Sequence, residues 1–241
     1  MGDLDRIIVA ISALGSSIDE EAKALAADLG TIAYEQRQKL MPGMPAIVLV
    51  TTDGDAARAL VDKLRSRHHR ALLCRAADVV RADAMVSMRR FQMTDDGLEA
   101  GADRLPWTNI SALIRARHSH QTEGVEVVKN KKFNLGRALV TGGLVMRKTV
   151  TREIVTQTKD SEHVLYVFRA DGGVPWLLRE QGTHYSALGA ALTPTAPRNF
   201  AIAVDQFRAR AASARFDDSL VRRMLTDVDL YAHLIAASSR S

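Results

Sequence analysis

Apolar and polar positions along residues 1–75 follow the pattern of strands and helices that succeed one another. Three short apolar runs are typical of buried strands: residues 7–11, 46–51 and 71–74. Apolar residues between these runs return at helical spacing, as Leu60 and Leu64 do, and each such stretch predicts a helix with one buried face. The predicted order is β-α-α-β-α-β, a small sheet covered by helices on one side.

The predicted helices have recognisable ends. Their first residues have side chains that can accept a hydrogen bond from the next backbone turn: Ser17 or Asp19, then Thr31, then Asp53 or Asp55. Gly30 ends the first helix, because glycine readily adopts the left-handed conformation of a helix C-terminus. The Pro42-Gly43 pair ends the second helix.

Three runs in this region carry a resemblance: residues 32–37 (IAYEQR), 40–45 (LMPGMP) and 55–60 (DAARAL). Together they resemble the C-terminal domain of the bacterial ribosomal stalk protein, a fold that the Clp protease adaptor shares. The basic residues of that family's first helix are replaced here by Asp19, Glu20 and Glu21. The resemblance therefore implies a compact interaction domain over residues 1–76, and it does not imply recruitment of translation factors.

After a helical connector at residues 77–86, short strands separated by turns dominate the pattern. The predicted strands are residues 88–93, 110–120, 125–129, 138–146, 154–158, 163–169 and 174–180. Asp95-Asp96-Gly97 and Asp171-Gly172-Gly173 are predicted hairpin turns, because glycine tolerates the positive φ that tight turns require. Gly142-Gly143 predicts a bend or bulge in an apolar stretch.

Two helices are predicted to follow these strands. Phe200, Val204, Phe207 and Ala211 recur on one helical face, and Pro197 suits the first turn of that helix. Apolar residues also share one face of a predicted C-terminal helix over residues 217–241, which docks on its own chain or on a partner.

Residues 87–216 resemble a bacterial pleckstrin-homology-like barrel. The run LPWTNI at residues 105–110 carries the resemblance, with about seven strands closed by an amphipathic helix. The predicted fold class is therefore α+β: a β-α-α-β-α-β module at residues 1–76, a mostly antiparallel β domain capped by a helix at 87–216, and a C-terminal helix at 217–241.

Composition narrows the function without identifying it. Hydrophobic residues make up 46% of the 241 positions, which supports a packed core. A single cysteine excludes an intrachain disulfide, and the short apolar stretch at residues 7–14 follows acidic rather than basic residues. The sequence therefore predicts a cytoplasmic protein, the resemblances imply a bacterial one, and the net charge of +5 is spread along the chain.

Signatures of phosphoryl, acyl and dinucleotide chemistry are absent from the sequence. His118 and His120 point to one face of a predicted strand, where they could share a metal with His163 and His184. The plainer interpretation is two ordinary histidines on a solvent-facing strand. Cys74 lies within an apolar strand, which favours a packing role over nucleophilic catalysis. We predict no enzyme activity, catalytic residue, metal or cofactor.

Two basic clusters are the clearest positive signal. Residues 129–132 contain three of the chain's eight lysines, and Arg147 and Lys148 form a second cluster. The five candidate anion-binding residues are Lys129, Lys131, Lys132, Arg147 and Lys148. Basic inter-strand loops of pleckstrin-homology-like domains bind anionic head groups, so the resemblance implies such a site. Charged hairpin tips that confer solubility are the alternative.

The sequence favours a non-enzymatic adaptor or scaffold that binds an unidentified protein partner. The first alternative is a binder of anionic lipid surfaces or nucleic acid through the basic loop, and the second is a metal-dependent enzyme built on the histidines. Arg89-Arg90-Phe91 adds a minor indication of single-strand binding, because such sites combine cations with aromatic rings.

Overall fold

The computed structural model describes residues 5–133, 147–223 and 225–239, with the side chains of residues 119–160 outside the description. The chain divides into two units: residues 1–118 with 162–241, and residues 119–161. Strands, helices and three separate sheets give a mixed α+β fold, as predicted. No helix within the described ranges is long and apolar enough to span a bilayer.

Residues 7–75 form the predicted β-α-α-β-α-β module. Its elements are β1 (Ile7–Ala13), α1 (Ile18–Leu29), α2 (Ala33–Leu40), β2 (Ala46–Thr51), α3 (Gly54–Ser66) and β3 (Arg70–Arg75). The strands form an antiparallel sheet in the order β2-β1-β3, so β1 is central. One face of β1 packs Val9 and Ile11 against Leu25 of α1 and Leu64 of α3. The helical spacing in the sequence therefore identified the buried faces correctly.

Local hydrogen bonds define the helix ends at the predicted places. Ser17 begins α1, and its hydroxyl accepts from the Glu20 backbone while the Glu20 carboxylate accepts from the Ser17 backbone. Gly30 ends the helix with a φ of 64°. Asp53 begins α3, and its carboxylate accepts hydrogen bonds from the backbone N–H groups of Asp55 and Ala56.

The predicted start of α2 at Thr31 is wrong by one residue. Ile32 is the first capping residue, and it makes no side-chain cap hydrogen bond. The Thr31 hydroxyl instead accepts a hydrogen bond of 2.8 Å from the Gln36 side-chain amide. The Thr31 hydroxyl thus accepts from a side-chain N–H of Gln36 instead of from a backbone N–H.

A buried polar network joins α1 to the turn between α3 and β3. Glu21 is fully buried, and Arg67 donates to both of its carboxylate oxygens, at 2.7 and 2.9 Å. His69 Nε2 lies 2.5 Å from the same carboxylate. The Gly15 N–H donates to His69 Nδ1 at 2.8 Å, so Nε2 carries the proton that faces Glu21. His69 is therefore buried against Glu21 and links the turn after α3 to α1.

Eight further strands follow the module. They are β4 (Val86–Ser87), β5 (Gln92–Met93), β6 (Gly97–Ala100), β7 (Asp103–Pro106), β8 (Ile110–Phe133), β9 (Arg147–Arg169), β10 (Trp176–Arg179) and β11 (Arg215–Leu220). One sheet has the order β11-β8-β9-β10-β4, and the other has the order β5-β6-β7. Both orders are open, and no barrel closes among the described residues, so the predicted barrel is not confirmed.

Strand boundaries differ from the prediction at several places. Of the predicted strand at residues 88–93, only β5 at its end is a strand; β4 precedes the predicted range, and Met88 and Phe91 are buried between the two strands. The predicted separate strands within 110–129 and within 154–169 belong to the continuous strands β8 and β9. The predicted strand at 138–146 and its glycine pair fall outside the described residues.

The predicted amphipathic helix is α4 (Ala196–Arg210). Phe200, Val204 and Phe207 on this helix are buried in one cluster with Trp107 and Trp176. Apolar residues of β8 and β9 complete this cluster on the facing side of the sheet. The aromatic stripe thus holds α4 across the strands.

The predicted C-terminal helix over 217–241 is wrong in its first part. Residues from Arg215 to Leu220 form β11, which pairs in parallel with β8. The helix itself is α5 (Val228–Ser238), and it begins where the Asp227 side chain accepts from the Leu230 N–H. Residues 215–220 are mostly exposed and end in the buried Leu220, a pattern compatible with either an edge strand or a helix. Pairing with β8 selects the strand.

Helix α5 is buried on two opposite sides. Leu230 and Leu234 pack against Ile8 and Ala10 on the outer face of β1. Ala232, Ile235 and Ala236 pack against the five-stranded sheet, among residues of β8, β9 and β10. A helix with apolar residues on both sides is typical of an interior position. The C-terminal helix therefore docks on its own chain and joins the two sheets.

We expect Leu234→Ala to destabilise the protein by about 2–5 kcal/mol, because it removes a fully buried side chain between sheet and helix. Urea unfolding followed by circular dichroism measures the change in the free energy of unfolding. Leu192→Ala is the matched control, because Leu192 is 51% exposed. Equal stability of the two variants would contradict the joining role of α5.

Candidate functional site

The backbone brings the two predicted basic clusters onto neighbouring strands. Lys129, Lys131 and Lys132 lie near the end of β8, and Arg147 and Lys148 are the first two residues of β9. The Ala170 N–H donates to the Asn109 carbonyl, which joins the end of β9 to the start of β8, so the strands run antiparallel. The lysines lie in a strand rather than in the predicted loop, and the five side chains fall outside the description.

The candidate metal-binding histidines have separate partners. His118 contacts the Tyr166 hydroxyl, whereas His163 Nδ1 lies 2.7 Å from a carboxylate oxygen of Glu180. His184 lies elsewhere, in a backbone bridge with Arg90, and the side chain of His120 falls outside the description. Within the described part of the chain, no three His, Cys, Asp or Glu side chains are grouped to hold a metal ion.

His118, Tyr166 and Asp229 form a hydrogen-bonded cluster between the five-stranded sheet and α5. The Tyr166 hydroxyl donates to Asp229 Oδ1 at 2.6 Å, so His118 Nε2 donates to the Tyr166 oxygen from 2.5 Å away. The second Asp229 oxygen accepts from the Ala82 N–H at 3.0 Å. The sequence pattern does not point to Tyr166 or Asp229, because they are 63 residues apart and no local spacing signals their contact.

The electrostatics of this cluster favour a structural role. Burial, and then the negative charge of Asp229 and its hydrogen bond, raise the pKa of Tyr166. A phenol in this setting stays protonated and gives neither a nucleophile nor a base near neutral pH. The cluster therefore fastens the first turn of α5 to β8 and β9.

Cys74 is half-buried at the edge of the cluster that α5 forms with β1. Burial, and then the charge of Asp78, raise the pKa of the Cys74 thiol. A raised pKa lowers the thiolate fraction that nucleophilic catalysis requires. The packing role that the sequence favours is consistent with this position.

An open cleft of 780 Å³ lies beside β5. Its walls are residues 90–93, Glu99 and Gly101 of the β6–β7 hairpin, and His184 with Ser186. Phe91 is buried below, with its ring edge-on to the rings of Tyr185 and Phe207. This burial overturns the hypothesis that Arg89-Arg90-Phe91 stacks on bases, because Phe91 offers no open ring face. The polar side chains that line the cleft include those of Arg90, His184 and Ser186.

A second surface carries exposed apolar side chains around α2. Ile32, Tyr34 and Met41 are 59%, 66% and 53% exposed, and they are three of seven large hydrophobic residues that are exposed in the described ranges. Tyr34 and Met41 are seven residues apart on one face of the helix, and Arg37 Nη1 lies 3.3 Å from the Met41 sulfur. We call these three residues the α2 surface.

We expect Tyr166→Phe to change the pH dependence of stability. The raised pKa of Tyr166 means that its protonated form is stabilised by folding, so this stability is complete below the unfolded value of about 10 and is lost at higher pH. Wild type should lose about 1.4 kcal/mol more than the variant for each pH unit above 10. Urea unfolding between about pH 9 and pH 11 measures the difference.

Tyr34→Phe is the matched control for this experiment, because Tyr34 lies on the surface and its hydroxyl makes no hydrogen bond within the described residues. The control should follow wild type at every pH. Parallel curves for wild type and Tyr166→Phe would contradict the buried, protonated state of Tyr166.

Comparisons with known proteins give no relative on which a function could be based. No protein-family model, no curated protein and no solved structure matches the chain.

Proposed function

We propose that the protein is a non-enzymatic adaptor that binds another protein through the α2 surface. The observation that carries this proposal is that three exposed apolar side chains lie on α2 and at its two ends, in a module whose buried core does not include them. Tyrosine is frequent among residues that dominate binding energy, and methionine adapts to irregular partner surfaces. An exposed apolar surface of this kind marks an interaction site when it is rimmed by polar residues.

The polar rim of the α2 surface supports this interpretation. Arg37 pairs with Asp19 at 2.7 Å, and Glu35 and Gln38 are exposed beside Tyr34. Interfaces commonly combine an apolar centre with such a rim, which excludes water around the central contacts. Neither Tyr34 nor Met41 belongs to a buried core cluster, so their exposure does not serve packing within the module.

The resemblances also belong to this proposal. We propose that residues 1–76 share the fold of the ribosomal stalk C-terminal domain, and the observed order of strands and helices supports it. The pleckstrin-homology-like interpretation of residues 87–216 is supported by α4, which follows β10 in the chain and packs against the strands. Both are folds of small interaction domains, and a fold alone does not establish a partner.

We expect the double variant Tyr34→Asp/Met41→Asp to lose the partner, because a carboxylate cannot be buried in an apolar interface without a counter-ion. Full-length wild type and variant serve as baits in a lysate of the source cells, and a captured protein is then purified for binding measurements. Its dissociation constant should rise at least roughly thirtyfold, the loss expected when a hot spot of about 2 kcal/mol is removed.

The matched control is Val174→Asp/Leu192→Asp, which changes two residues that are 45% and 51% exposed outside the module. This control should bind as wild type does. Equal retention of the partner by both double variants would place the interface elsewhere, and capture of nothing by wild type would contradict the adaptor function.

One observation favours a second candidate, the binding of anionic lipid or nucleic acid. Both basic clusters lie within residues 119–161, at the end of β8 and the start of β9, on strands that are neighbours in the sheet. Antiparallel neighbours bring these ends together, so five positive charges share one end of the strand pair. Clustered lysine and arginine neutralise phosphate groups, and such binding weakens with salt.

For this candidate we expect Lys131→Glu/Lys132→Glu to abolish binding to phosphatidylserine vesicles or to duplex DNA, measured by sedimentation and by fluorescence anisotropy. Wild-type affinity should fall steeply as salt increases. Lys23→Glu/Lys39→Glu is the matched control, because both lysines are exposed and lie in the N-terminal module. If wild type binds neither the vesicles nor the DNA at low salt, this function is excluded.

A further inference from the structure

The cleft beside β5 carries an uncompensated positive charge. Arg90 lines it, and no acidic side chain of the described residues lies within ion-pair distance of its guanidinium. The carboxylate in the cleft, Glu99, already has a partner, because its Oε1 lies 3.7 Å from Nε of Arg104. The same guanidinium also pairs with Asp96 at 3.1 Å. Arg90 is therefore available for an anionic ligand.

A second arginine lies at the rim of the cleft. Arg210, at the end of α4, places Nη1 4.0 Å from the sulfur of Met93 and lies 5.9 Å from the centre of the Trp107 ring. Its guanidinium has no acidic partner within the described ranges. Two unpaired guanidinium groups near Met93 make this wall of the cleft electropositive, and a guanidinium binds carboxylate or phosphate oxygens through parallel N–H donors.

The segments that carry the polar groups are held by backbone pairing. The His184 N–H donates to the Arg89 carbonyl at 2.8 Å, and a parallel bridge joins His184 to Arg90. The neighbouring strand β5 is paired with β6 through Gln92 and Glu99. Because both walls are already held in place, the protein loses less conformational entropy when a ligand binds.

The cleft also offers apolar surface below its charged wall. Met93 and Ala187 are half-buried and line the cleft, and the buried ring of Phe91 supports them. Polar donors at the rim, His184 and Ser186, have no side-chain hydrogen bond to other described residues. A volume of 780 Å³ is in the range of small-molecule sites. The combination suits a ligand with an apolar body and an anionic head.

A second cleft, between α4 and β11, contains an arginine whose charge is already paired. Arg208 lines that cleft of 400 Å³, but its Nη1 lies 3.8 Å from the Asp205 carboxylate. The guanidinium also covers the Phe216 ring at 4.0 Å. Arg208 is therefore already occupied on two sides, whereas Arg90 is not.

We propose that the cleft beside β5 binds a small organic oxyanion, a phosphate monoester or a carboxylate, with Arg90 as the ion-pairing residue. Arg210 adds positive charge at the rim, and the hydroxyl of Ser186 with the imidazole of His184 supplies further donors. The apolar body of the ligand lies against Met93 and Ala187. This site is separate from the α2 surface and does not depend on the adaptor function.

The test uses the full-length ¹⁵N-labelled protein and three small probes at low ionic strength: phenyl phosphate, benzoate and the neutral benzamide. Saturable amide shifts at Gly101, Ser186 and Ala187 with an anionic probe are expected, and benzamide should give none. A response to phenyl phosphate alone identifies a phosphate ester, and a response to benzoate alone identifies a carboxylate. A response to both supports recognition of the shared oxyanion.

Arg90→Gln should weaken the binding of the anionic probe roughly tenfold, the loss of affinity expected when one charge-assisted pair is removed. Arg89→Gln is the matched control, because it removes the same charge from an exposed neighbour that does not line the cleft. An equal loss in both variants would show only non-specific attraction and overturn the proposal. Shifts scattered over the surface, no shift with either anion, or equal binding of benzamide would also overturn it.

Discussion

Packing of α5 between two sheets is the interaction on which the rest of this architecture depends. The β-α-α-β-α-β module can bury only one face of β1 with its own helices, and Ile8 and Ala10 on the other face need a separate cover. Leu230 and Leu234 of α5 supply it, while Ala232 and Ile235 bury the facing side of the five-stranded sheet. The three-stranded sheet and the five-stranded sheet are therefore both covered by the same apolar helix. Apolar burial is the main favourable term in folding.

Polar contacts at the start of α5 define its position, because apolar packing alone has little directional preference. Asp227 caps the helix and pairs with Arg81 at 2.6 Å, and Asp229 accepts from Tyr166 and from the Ala82 backbone. These contacts attach the helix both to the connector after β3 and to the sheet. The hydrogen-bonded cluster of His118, Tyr166 and Asp229 therefore helps to position α5 in the fold.

The two proposed binding surfaces differ in how far the sequence could reveal them. Tyr34 and Met41 occur in a helix whose spacing was predicted, but their exposure depends on which face of α2 contacts the sheet. Arg90 was noted beside Phe91, whereas its neighbours in the cleft come from distant segments: Glu99 from the β6–β7 hairpin and His184 from the segment after β10. The cleft combines residues about ninety positions apart, and local pattern carries no information on such contacts.

Hydrophobic spacing and turn chemistry by themselves determined the order of elements in residues 7–75, the ends of α1, the start of α3 and the apolar stripe of α4. These features are local, because helix periodicity, capping and glycine conformations act within a few residues. Only the tertiary structure decided that residues 215–220 pair with β8, that His69 is buried against Glu21, and that α5 lies between two sheets. Each of these depends on a distant partner, and the free energy of pairing or burial there exceeds the weak preference of the local segment.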